Sequence, residues 1–139
     1  MSSEEKRTWI SAVVGVVVPV VYLAIVLSRL PGAEVAEIAY VGPMVTSIGA
    51  GIVAGIVLAV VAAMSSPGEA DRTDERDREI NRRGEHAGFY VMSIAAIVPL
   101  VLAMAEAEQF WIAHALYLSF VLAALAASAV KIVAYRRGW

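Results

Sequence analysis

The chain of 139 residues has no cysteine, only two histidines and, outside one central stretch and the two ends, very little charge. Without cysteine there can be no disulfide, no iron–sulfur cluster and no thiol nucleophile. His86 and His114 are the only histidines available to a haem. His86 begins one expected helix on the basic side, and His114 stands about one turn inside the opposite end of another. At ~1.5 Å rise per residue their depths differ by on the order of 20 Å, so one iron cannot be held by both. No Asp, Glu or Arg falls at the centre of any apolar run, and proton-coupled transport ordinarily needs such a buried group. No nucleophile and base share one depth, as an intramembrane hydrolase would require. The net charge of −2 argues against a nucleic-acid partner. No cofactor and no enzymatic activity are expected.

What is present is apolar. Hydrophobic residues make up 60% of the chain and the mean hydropathy is +0.72, against about 45–50% apolar residues in a soluble domain. The apolar sequence falls into four runs, each close to the ~20 residues that a helix needs to cross a ~30 Å hydrocarbon layer. The runs do not alternate polar and apolar residues as barrel strands do. The expected fold is therefore all-α: one integral membrane domain, residues 1–139, forming a four-transmembrane-helix bundle of two antiparallel hairpins. The helices are placed at about 9–30, 41–64, 74–106 and 110–135, the third beginning with a polar stem. The first run is too long for the core of a cleavable signal peptide, and it contains Pro19.

Ten of the eleven basic residues lie near the N-terminus, in the central charged stretch or near the C-terminus; Arg29 is the exception. Cationic loops stay cytoplasmic, so both termini and the central loop are expected there, in the plasma (inner) membrane as a multi-pass protein. Arg82, Arg83, Lys131, Arg136 and Arg137 then lie within reach of lipid headgroups. Trp9, Tyr40, Trp111, Tyr135 and Trp139 fall near the run ends, where amphipathic rings anchor at the interface. Pro19 and Pro99 sit mid-helix in "VVVPVVYLA" and "AIVPLVLAM", a faint echo between the two halves. Each removes a backbone hydrogen bond, giving a tolerated kink or a hinge.

Helix two repeats small residues every fourth position, at Ser47, Gly51, Gly55 and Ala59, with a GxxxG pair at Gly51–Gly55. Helix four has a similar row at Ala115, Ser119, Ala123 and Ala127. Such rows permit close backbone approach, either within one subunit or between copies in a homo-oligomer. Tyr22, Thr46, Ser47, Ser93, Tyr117 and Ser119 offer interhelical hydrogen bonds or, alternatively, a narrow polar path. His114 is an interfacial hydrogen-bonding or packing residue; alternatively, with Glu106 and Glu108, it could hold a divalent metal or respond to pH.

Residues 71–86, "DRTDERDREINRRGEH", carry eleven charged side chains in sixteen positions. Helix is expected to restart near Asp74. Asp74 and Glu75 suit its N-terminus, and Asp74–Arg78 and Glu79–Arg83 are i,i+4 pairs in the favourable order. The charges make a water-stable stem that enforces topology. They also offer a two-signed surface to a cytoplasmic protein, with Asp74, Glu75, Arg76, Arg78 and Glu79 as its specificity charges.

The stretch "DERDREI", followed by an aromatic-bearing apolar helix, resembles the D-E-R-[DE]-x-x-I element of an uncharacterised family of small four-span membrane proteins of bacteria and archaea. The ending "VKIVAYRRGW" is similar to that of actinobacterial members. Members are often encoded beside helix-turn-helix regulators, so the resemblance implies an accessory or regulatory membrane role; it carries no catalytic residue. The function expected is thus a non-enzymatic membrane protein that assembles with itself or with a membrane or cytoplasmic protein through the stem. The alternative is a small oligomeric channel or transporter for an ion or small solute.

Overall fold

The computed structural model describes residues 3–65 and 74–138. The expected turn at 66–68, the first three stem residues 71–73 and the aromatic anchor at 139 lie outside the described residues. Within them the chain is helical: α1 (Ser3–Leu27), a short 3-10 turn (Val35–Glu37), α2 (Val41–Met64), α3 (Glu75–Ala95), α4 (Ile97–Met104) and α5 (Gln109–Arg137). Four helical segments, with α3 and α4 counted together, are long and apolar enough to cross a membrane.

Two boundaries differ from expectation for physical reasons. α1 is already helical at Ser3, the first described residue and six before the expected start, and Glu4 and Glu5 stand near that end, where the helix dipole favours negative charge. The expected single helix over 74–106 is divided at Ala96. Pro99 has no N–H to offer the carbonyl of Ala95, where α3 ends, and regular bonding resumes with Leu100 N–H donating to Ala96 O at 3.3 Å. α1 runs through Pro19 unbroken. The two prolines of the sequence echo therefore do different things.

α5 is the central element. It packs along α3 and α4 on one side and α1 on the other, and α2 packs against the far side of α1. The two expected hairpins are thus packed pairs, joined by the contact of α1 with α5. α2 meets α5 only near its own start, where Ser47 Oγ and the Tyr117 hydroxyl lie 3.3 Å apart. None of the most apolar stretch of α2 is buried. Most large aliphatic side chains of these four segments are exposed, as hydrocarbon-facing surfaces would be.

The two ends of the molecule differ in chemistry. At the hairpin end, Tyr22, Val26, Ile38, Phe110 and Tyr117 form the buried core, with Leu30, Val35, Tyr40 and Met44 packed on it. Arg29 ties down the first connection by donating to Ala39 O at 3.1 Å, which gives the one exceptional basic residue a structural task. The second connection closes as a Schellman turn. Ala107 N–H donates to Leu102 O at 3.0 Å and Glu106 N–H to Ala103 O at 3.1 Å, with Glu106 in the left-handed region at φ 53°. The opposite, terminal end gathers the N-terminus, the start of α3 and the C-terminus. Asn81 donates to Glu4 at 3.5 Å, the Tyr135 hydroxyl donates to Asp77 at 2.9 Å, and the Arg136 guanidinium lies 5.3 Å from the centre of the Trp9 ring.

Candidate functional site

The charged half of α3 is not a free-standing stem. Asp77, Ile80, Gly84 and Gly88 are buried along one face, at spacings of three and four that bring them into line on a helix. That face lies on the last turns of α5. Ile80, the only aliphatic residue of the charged stretch, is 2% exposed, and Asp77 is 8% exposed with its carboxylate on the Tyr135 hydroxyl. A methyl group on Gly84 would stand 2.5 Å from Cγ and Cε of Lys131 and 2.9 Å from the carbonyl oxygen of Ala127. One on Gly88 would stand 3.0 Å from the carbonyl oxygen of Ala123 and 3.2 Å from Cβ of Ala127. Gly84 and Gly88 therefore form a close-packed GxxxG seam, seated on the small-residue row of α5.

The GxxxG pair singled out from sequence behaves otherwise. Ser47, Gly51, Gly55 and Ala59 do share the half-buried face of α2. A Cβ on Gly51 would meet Val18 of α1 at 3.7 Å, an ordinary contact, and one on Gly55 would meet nothing within 4 Å.

Docking by one face leaves the other on display. Asp74, Glu75, Arg76 and Arg78 are exposed and Glu79 is half-buried. Asp74 caps the helix, accepting from Glu75 N–H at 2.7 Å rather than pairing with Arg78. Glu79 pairs with Arg83 at 2.8 Å, as expected, and also with Arg82 at 2.9 Å. The hydrogen bond from Arg83, aided by the charge of Arg82, holds the Glu79 carboxyl below its ordinary range. Both arginines expected at headgroups thus spend part of their charge on one glutamate.

Beside the seam, α1, α3 and α5 line an open polar cavity of about 300 Å³. Glu4, Arg7, Thr8 and Ser11 contribute from α1, Asn81 and Glu85 from α3, and Ser128 and Lys131 from α5. Glu4 is answered by Arg7 at 3.1 Å and by Asn81, and Thr8 donates to the backbone of Glu4 at 2.9 Å. Of this set only Lys131 was singled out from sequence. The cavity depends on three helices meeting, and no single-helix pattern carries it.

At the hairpin end, His114 is buried among rings. Its Nδ1 lies 2.7 Å from Phe110 O and its Nε2 2.7 Å from the Tyr22 hydroxyl. A carbonyl only accepts, so Nδ1 carries the proton, and in the neutral ring Nε2 accepts from Tyr22. Tyr40 and Phe110 pack on the same imidazole, with centroids 5.3 and 4.0 Å away. Glu106 and Glu108 are exposed. Among the described residues no group of three or more His, Asp or Glu side chains is placed to hold a metal ion. Of the polar residues considered for a path, Tyr22, Ser47 and Tyr117 bond between helices. Thr46, Ser93 and Ser119 return to carbonyls of their own helices.

No protein-family model matches the chain, and neither a curated protein nor a solved structure matches it.

Proposed function

We propose that this chain is a non-enzymatic, four-span protein of the plasma (inner) membrane, with both termini and the charged half of α3 at its cytoplasmic face, acting as an accessory or regulatory subunit. In this reading the undocked face of α3 contacts a cytoplasmic protein through Asp74, Glu75, Arg76, Arg78 and Glu79. The observation that carries it is the division of the D-E-R-D-x-x-I element. Asp77 and Ile80 are turned into the fold and hold the helix in place, whereas Asp74, Glu75 and Arg76 face outward. A rigidly held helix presenting both signs of charge suits protein recognition and orients its partner. The bunching of Lys and Arg at the terminal end supports the cytoplasmic assignment.

The test is gentle solubilisation from the native membrane, followed by mass spectrometry of the intact complex. Wild type is compared with the charge-reversed double variant Glu75→Arg, Arg76→Glu. The expected result is a second protein bound to wild type and lost from a variant that still inserts. A homo-oligomer indifferent to the reversal would sink the docking role and bring the oligomeric channel or transporter forward.

A further inference from the structure

The polar cavity at the terminal end contains more hydrogen-bonding capacity than the fold uses. Glu4, Arg7, Thr8 and Asn81 are engaged with one another or with backbone. Ser11, Ser128 and Lys131 are not: among the described residues neither hydroxyl and no part of the ammonium has a hydrogen-bond or ion-pair partner. Ser128 and Lys131 stand three apart on α5, on one face, and Ser11 lines the same cavity from α1. Packing fixes the direction of Lys131. Its methylenes lie against Gly84, and the side chain lines the cavity beside the seam. Two hydroxyl donors and a cation around one space fit the oxygens of a phosphate. Glu85 is exposed and lines the same cavity; among the described residues it has no hydrogen-bond or ion-pair partner, and its carboxylate offers the charge opposite to that of Lys131.

Depth says where such a phosphate comes from. The 29 residues of α5 extend ~43 Å at ~1.5 Å per residue, which matches the ~40–45 Å of a bilayer with its headgroups. Lys131, six residues before Arg137, then lies ~9 Å inside the inner end of α5, near the boundary between acyl chains and headgroups. At ~30 Å³ per water, the cavity has room for roughly ten waters, and so for a phosphate joined to a two-carbon amine.

We propose that this cavity is a binding site for a phosphoethanolamine lipid headgroup, with the phosphate held by Lys131, Ser128 and Ser11 and the primary ammonium by Glu85. The assignment rests on the membrane-spanning reading and is independent of the cytoplasmic partner.

The protein is reconstituted in vesicles containing equal parts of phosphatidylethanolamine, phosphatidylcholine and phosphatidylglycerol with the same acyl chains. It is then released in mild detergent, and its bound lipid is read by intact mass spectrometry. Wild type is expected to retain phosphatidylethanolamine several-fold over the other two. Lys131→Met, which keeps the packing on Gly84, should lose retention of all three. Glu85→Gln should keep phosphate binding but lose the preference for the primary amine, because of the three headgroups only the primary ammonium can donate charge-assisted hydrogen bonds to that carboxylate. Equal retention of the three lipids by wild type, or undiminished retention by Lys131→Met, overturns the proposal. Displacement of the lipid by micromolar soluble glycerophosphoethanolamine also overturns it, by assigning the site to a free phosphoester. Failure of the protein to float with the vesicles would count instead against the membrane-spanning reading.

Discussion

α2 and α3 each carry a GxxxG pair, and only one of them is a seam. Gly51 and Gly55 lie in a helix without a single charge, where the motif is conspicuous, yet their surroundings have room to spare. Gly84 lies between arginines and a glutamate, with Gly88 one turn on; an added methyl would clash with the Ala127 carbonyl at Gly84 and crowd the Ala123 carbonyl at Gly88. The difference lies in the partner. α5 faces Gly88 with Ala123 and Ala127, and Gly84 with Ala127 and the methylenes of Lys131 laid across it, so the backbones come close. α1 faces Gly51 with Val18, whose branches hold the backbones apart. A glycine pair permits close approach; the residues opposite decide whether it occurs.

The sharpest way to break this comparison is to fill the tight seam. Gly84→Val should cost about 3 kcal/mol, the upper part of the range for overpacking, measured by reversible unfolding in mixed detergent. A cost under about 1 kcal/mol would mean that the helices are not so close. Next in size is the polar lock at the end of the same seam. Tyr135→Phe removes the donor to the buried Asp77 carboxylate and should cost about 1.5 kcal/mol in the same assay. A smaller effect of opposite sign is expected at the hairpin end. Glu106 sits at φ 53° in a turn position that favours glycine, so Glu106→Gly should stabilise the protein by about 1 kcal/mol. The smallest effect belongs to the loose pair: Gly55→Ala should change stability by less than about 0.5 kcal/mol. A large loss there would show α2 to be packed against something other than α1, such as a second copy.

Much of the architecture is legible in the sequence. Run length and hydropathy place the four long apolar helical segments, and the limits of α2 agree to the residue with those expected. The break near Pro99 follows from a missing N–H, although Pro19, with the same defect, leaves α1 continuous. The docked face of α3 is legible in principle, since Asp77, Ile80, Gly84 and Gly88 follow helical spacing. It is obscured because eleven charges in sixteen positions read as a solvated surface, and a glycine among arginines does not suggest a packing site. Buried Asp77 is explained only by Tyr135, 58 residues away. His114 shows the same limit. Its neighbours in sequence are Glu106 and Glu108, but its partner in space is Tyr22, 92 residues distant on α1. Spacing along one helix reveals a face; which face meets it is a property of the assembled fold.

The central claim is that the charged half of α3 is a docked element and not a solvated stem. Hydrogen exchange of the amides from Asp77 to Gly88, in detergent or lipid discs, tests it most directly, because an isolated helix of this length is marginal in water. The account predicts slow exchange in the wild-type protein and markedly faster exchange in Gly84→Val, with the amides of α2 unchanged. Rapid exchange across the segment in wild type, indifferent to that substitution, would contradict it.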